Sequence, residues 1–148
     1  MNSARLSRIG DLLNEDGLNY SVFLRAYEVA AREDLSSSEL ICLALGPSVV
    51  IGGIRDIAAA EVPPEVEASL TYVGDSGARP SANVLNSVHF KNLLTEILAD
   101  LHKTITESQR VEQFWLKDGH PAYPVFWDFA YLFRSSNKVT IFIGSSSD

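Results

Sequence analysis

The sequence predicts an α+β fold, a helix-rich single domain over residues 1–148 with a small antiparallel sheet containing a C-terminal β-hairpin. Three observations carry this. Leu, Ile and Val recur at helical spacing through 3–14 and again through 82–105. Residues 123–144, YPVFWDFAYLFRSSNKVTIFIG, form the most apolar and aromatic stretch and alternate at period two around a polar turn. At 148 residues and 46% hydrophobic content the chain is long enough to bury a core without disulfide or metal staples. On this reading the chain divides into a helical N-terminal region, residues 1–118, and the hairpin, residues 123–144.

The helix over 3–14 places Leu6, Ile9, Leu12 and Leu13 on one side, and Asp16-Gly17 stops it. Residues 20–34, YSVFLRAYEVAARED, predict a second helix capped by Asn19. Phe23, Tyr27, Ala30 and Ala31 line one side, and Arg25 and Glu28 pair at i,i+3 on the other. Ser36-Ser-Ser-Glu39 is a capping-box pattern before an apolar run and predicts a helix over 37–45, closed by Gly46-Pro47. In SVVIGGIRDIAAAE, Val49–Ile51 favour a strand and Ile54, Ile57, Ala58 and Ala60 a helix. The reading leans to a helix over 53–61.

Gly52-Gly53 lacks the surrounding glycines and lysine of a phosphate loop, so the pair is read as a hinge or a place of close packing. Pro63-Pro64 punctuates the chain. The next stretch, EVEASLTYVG, continues a helix begun at Pro64 or forms a strand over 69–73. Gly74–Pro80 is the clearest loop. A second capping-box pattern, Thr106-x-x-Gln109, predicts a helix over 107–117 after the long one, ended by Asp118-Gly119.

In the hairpin, strand alternation puts Trp127, Phe129, Tyr131 and Phe133 on one face and Asp128, Ala130 and Leu132 on the other. Both faces are largely apolar, which predicts an inner strand covered on both sides. Pairing Arg134 with Val139 brings Asp128 opposite Ser145. Asp128 is then a structural buried polar group, its carboxylate accepting hydrogen bonds from Ser145–Ser147.

Net charge is −7 and unevenly spread: residues 1–74 hold 11 acidic and 5 basic side chains, residues 75–148 hold 8 and 7. An acidic first half argues against a nucleic-acid partner, which needs Lys and Arg along the phosphates. It suits a basic protein partner, because complementary fields speed encounter. The single Cys42 forms no internal disulfide and belongs to no zinc-ligand cluster. It is read as a structural thiol in a reducing, cytoplasmic setting. The N-terminus lacks the pattern of a signal peptide, and no apolar run is long enough for a transmembrane helix. His89 and His102 have no ligand-spaced companions, and no cofactor or metal is expected.

The leading functional expectation is a small, acidic, intracellular protein that binds another protein, in the concrete form of an immunity or inhibitor protein neutralising a basic toxin or enzyme. The expected partner-binding residues are Asp11, Glu15, Asp16, Glu33 and Asp34 in the acidic half, and Trp115, Asp118, His120 and Tyr123 around the Gly-Pro turn before the hairpin. A dimeric chaperone or adaptor is the alternative. The third class is a small hydrolase using His120, Asp128 and one of Ser145–Ser147. No nucleophile-elbow motif supports the last, so no residue is assigned as catalytic.

Overall fold

The computed structural model describes residues 1–148 as one α+β unit built on a five-stranded antiparallel sheet. In chain order the elements are α1 (Ser3–Asn14), β1 (Ser21–Ala30), α2 (Ser37–Leu45), β2 (Val50–Asp56), a short 3-10 turn (Ala59–Glu61), α3 (Val62–Leu70), α4 (Ala82–Asn86), α5 (Val88–Thr106), β3 (Arg110–Asp118), β4 (Trp127–Arg134) and β5 (Lys138–Ser147). The strand order is β1-β5-β4-β3-β2, which places the C-terminal hairpin in the interior of the sheet. No helix is long and apolar enough to cross a membrane.

The hairpin has the expected register, Arg134 opposite Val139 and Asp128 opposite Ser145. Both faces are covered, by very different amounts. Trp127, Phe129, Tyr131 and Phe133 point to the side packed by α1, α3 and α5, where 19 buried residues form the main core. Leu132, Ala130, Ile141 and Ile143 point to α2, where Leu40 and Ile41 anchor a second cluster of 10 buried residues.

Three of the predicted helices are strands, so the N-terminal region is not wholly helical. Residues 21–30 form β1, paired along their whole length with β5. Val22, Leu24 and Ala26 face the main core, a period-two set hidden within the apolar run that also fits a helix. Residues 50–56 form β2 rather than a helix over 53–61. Residues 110–118 form β3 rather than a helix over 107–117. The Thr106-x-x-Gln109 pattern caps nothing. Helix α5 runs through Thr106, whose hydroxyl donates to the His102 carbonyl, and the Gln109 N–H already donates to the Arg134 carbonyl of β4. In each case pairing with a distant strand outweighs a weak local helical preference.

Other local signals are realised. The Ser36 hydroxyl accepts the Glu39 N–H while the Glu39 carboxylate accepts the Ser36 N–H, a complete capping box. The Ser36 N–H and hydroxyl, both donating to that carboxylate, hold it below its ordinary pKa. Prolines 63 and 64 sit in the first turn of α3, so 69–73 is not a strand. The long 82–105 segment breaks at Ser87, whose hydroxyl accepts the Phe90 N–H to start α5. In the 74–80 loop the Asp75 carboxylate accepts the N–H groups of Gly77 and Ala78, an Asx turn.

Asp128 is exposed, not buried. The Ser145 hydroxyl that faces it donates instead to the Ala122 carbonyl at 3.1 Å. Ser145 itself is buried, whereas Asp128 lies on the part of β4 that β3 leaves unpaired and borders the cleft there, so its carboxylate keeps its water.

Candidate functional site

A fork in the sheet brings the chemistry-bearing residues together. β3 pairs with β4 only from Arg110 opposite Arg134 to Gln113 opposite Tyr131. Beyond Gln113, β3 stays with β2, ending with Asp118 opposite Val50, while the first half of β4 stays with β5. Phe114–Asp118 and Trp127–Ala130 thus part company, and residues 119–126 bridge the gap.

On the α3 side, the fork opens as a cleft of about 270 Å³ lined by Arg55, Glu65, Gln113, Trp115, Asp128 and Phe129 among others. A polar relay crosses its floor. Arg55 Nε donates to Gln113 Oε1 at 2.9 Å, Gln113 Nε2 donates to the Glu65 carboxylate at 3.3 Å, and the Tyr131 hydroxyl donates to Glu65 Oε2. Tyr131 is fully buried. Burial first, and then the bond to Glu65, push its phenol well above the ordinary tyrosine pKa. On the α2 side the fork narrows to a space of about 10 Å³, bounded by His120, Asp128 and Ser145 together with apolar side chains. That volume suits roughly one water molecule.

Trp115 is the prominent side chain of the fork. It is 48% exposed and lies flat on the backbone of β2. A Cβ at Gly53 would come within 2.1 Å of the indole Cζ2, and one at Gly52 within 2.6 Å of Cδ1. Close packing, not a hinge, therefore explains the glycine pair. Gly53→Ala is expected to lift the indole from its bed at a cost of about 1–3 kcal/mol, read as a shift in tryptophan emission together with a lower urea midpoint.

Of the sequence-predicted residues, Trp115, His120 and Asp128 line the fork. Tyr123 meets the His120 ring edge-on at 5.5 Å and is otherwise open to solvent, and the Asp118 carboxylate accepts the Gly119 N–H. The acidic residues do not form one patch. Asp11, Glu15 and Asp16 are exposed near the start of β1, and Glu33 and Asp34 just beyond its end, about 33 Å apart along a ten-residue strand. The Asp34 carboxylate is already engaged by Arg32 at 2.7 Å, which lowers its pKa.

No protein-family model matches the chain. No curated protein matches it either. Among solved structures, the crystal structure of citrus MAF1 is similar at 13% identity over 97% of this chain and 98% of that one, with a TM-score of 0.34. A likeness at that level bears on neither fold nor function, so the functional reading rests on the fork.

The hydrolase set is brought to one place but not into working order. His120, Asp128 and Ser145 border the same narrow space, yet the Ser145 hydroxyl is spent on the Ala122 carbonyl and makes no hydrogen bond to His120. An activated nucleophile needs that base within hydrogen-bond reach. Arg55, Glu65, Gln113 and Tyr131 are not residues that the sequence singles out. They come from four separate elements, and no spacing rule relates them.

Proposed function

We propose that the fork is a protein-docking site and that the protein acts by binding, in the inhibitor or immunity form, a partner that presents a basic surface. The observation that carries this reading is a half-exposed tryptophan held in one orientation by its glycine bed. Large aromatics that are ordered before binding give area at low entropic cost and dominate interface energetics. Tyr123, 73% exposed, and Val125, 51% exposed, extend the apolar surface along the bridging segment. Asp118 and Asp128 supply carboxylates beside it, and the net charge of −7 favours encounter with a basic partner. The lone Cys42 suits a reducing, cytoplasmic setting.

The test begins with a partner recovered from the native host and purified. Trp115→Ala is expected to weaken binding by at least about 2 kcal/mol, roughly 30-fold. Asp118→Asn with Asp128→Asn should slow association and flatten its salt dependence. Glu33→Gln with Asp34→Asn, at the far end of β1, should leave affinity unchanged. Loss of the partner's enzymatic activity on adding the protein would support the inhibitor form. Full affinity in the Trp115→Ala variant would remove the fork from consideration.

A further inference from the structure

We infer that residues 120–124 are a displaceable lid, held shut by one hydrogen bond, and that its opening seats an apolar side chain of the docked partner. The lid is a property of the free chain, and its part in docking rests on the fork being the docking site. Both ends of the segment are fixed. Gly119, at φ 73°, lies against β2's approach, where a Cβ would come within 2.3 Å of the Ser48 carbonyl oxygen. At the other end the N–H groups of Val125 and Phe126 donate to the Ser146 carbonyl at 2.8 and 3.2 Å. Between these anchors Pro121 and Pro124 carry no N–H, and the N–H groups of His120, Ala122 and Tyr123 have no partner in the chain. The Ser145 hydroxyl, donating to the Ala122 carbonyl at 3.1 Å, makes the one hydrogen bond to these five residues. Segments so sparsely bonded lie at the low end of local stability.

The segment covers apolar surface that no helix covers. Pro121 and Ala122 close the space of about 10 Å³ on the α2 side of the fork, whose other walls include Phe23, Leu116, Ala130 and Ile143. Leu116, Ala130 and Ile143 are buried although no residue of α2 borders this space. Trp115 lines it as well. Lifting the segment therefore uncovers an apolar floor continuous with the exposed indole, and the docking surface grows without any rearrangement of the strands.

The latch has a second acceptor at hand. Asp128 stands directly opposite Ser145 in the β4–β5 ladder, and both residues border the same space. Directly opposite residues share a face and lie close together. The Asp128 carboxylate forms no ion pair, and the Ser145 hydroxyl donates to Ala122 instead. With the lid closed the hydroxyl serves Ala122. With the lid open it turns to the carboxylate. A buried hydroxyl stripped of its acceptor would oppose opening, and the neighbouring carboxylate offsets that cost with a charge-assisted bond. The two forms thus differ by one exchanged hydrogen bond and the apolar surface beneath the lid.

Thiol labelling of the free chain with N-ethylmaleimide tests the lid. In a Cys42→Ser background, Ala130→Cys sets a thiol in the covered space, and Val139→Cys sets one beside Leu40 and Ile41 in the second core cluster. The Ala130→Cys thiol is expected to react at least about 10-fold faster than the Val139→Cys thiol, through local opening. Adding Ser145→Ala should speed the first by about 10-fold, the worth of one hydrogen bond, and leave the second unchanged. Adding Asp128→Ala should slow it, because the open form loses its acceptor. Ile143→Cys provides a second reporter in the same space should Ala130→Cys fail to fold. Equal labelling at the two positions, or no response to Ser145→Ala, would overturn the lid. With the purified partner, Ser145→Ala should tighten binding, because less of the opening cost remains. Unchanged or weaker affinity in Ser145→Ala, with the loss in Trp115→Ala retained, would overturn the lid's part in docking and leave the fork as the docking site.

Discussion

Phe129→Ala is expected to lower stability by about 3–5 kcal/mol, the usual cost of emptying a buried aromatic site. Phe129 is almost fully buried at the centre of the hairpin. Its ring stacks on Trp127 and Tyr131 at 5.8 and 5.7 Å and tilts against Phe142 at 5.0 Å. It also lies over Gly144, where a Cβ would come within 2.5 Å of its Cζ. That glycine is the hollow the ring fills, so truncation leaves a void bounded by rigid strands that cannot collapse into it. Against a total stability of about 5–15 kcal/mol for a domain, the loss should lower the melting temperature by about 10 °C. Urea denaturation and thermal melts check it. A loss below about 1 kcal/mol would be inconsistent with Phe129 as a core residue.

Raising the pH above the ordinary tyrosine range is expected to destabilise the protein through Tyr131, and Tyr131→Phe should remove that part of the loss. Burial and the bond to Glu65 raise the folded-state pKa of Tyr131 above its unfolded value. The neutral phenol is therefore the form the fold favours. Its contribution is fully present below about pH 10, where the unfolded side chain titrates, and is lost as the pH rises from there towards the folded value. Within that window one such group contributes a slope of about 1.4 kcal/mol per pH unit. Tyr20 is also raised, mainly by burial, so part of the slope should survive in Tyr131→Phe and fall further in Tyr20→Phe/Tyr131→Phe. At neutral pH, Tyr131→Phe should still cost about 1–3 kcal/mol, because the Glu65 carboxylate loses a donor. Urea titrations across the alkaline range measure both effects. An unchanged alkaline slope in the single variant would contradict the assignment.

How much of the fold is legible in the sequence depends on the range of the interactions involved. The capping box at Ser36–Glu39, the prolines opening α3, the apolar stripe of α5 and the polar turn of the hairpin are written within a few residues of each other, and each is readable. The hairpin register, Asp128 opposite Ser145 included, is readable too, because a short turn leaves few ways to align two alternating strands. β1, β2 and β3 read as helices because their apolar residues fit either period over so short a run. For β1 the deciding partner is β5, more than a hundred residues away.

The site divides in the same way. Trp115, His120 and Tyr123 stand out as aromatic and polar residues beside a turn, and the Gly52-Gly53 pair marks a hinge or a place of close packing without deciding between them. Its occupant, the Trp115 indole, is not readable. Nor is the relay of Arg55, Gln113, Glu65 and Tyr131, which exists only because β2, β3, α3 and β4 meet at the fork. The exposure of Asp128 depends on β3 leaving β4 before it reaches that residue, a limit of long-range pairing that local patterning does not contain. The α+β class, the locally capped helices and the central hairpin follow from composition and local patterning, because their interactions close over short stretches of chain. The other three strands and the fork emerge only in the folded chain, because each depends on which distant segments pair and where that pairing stops.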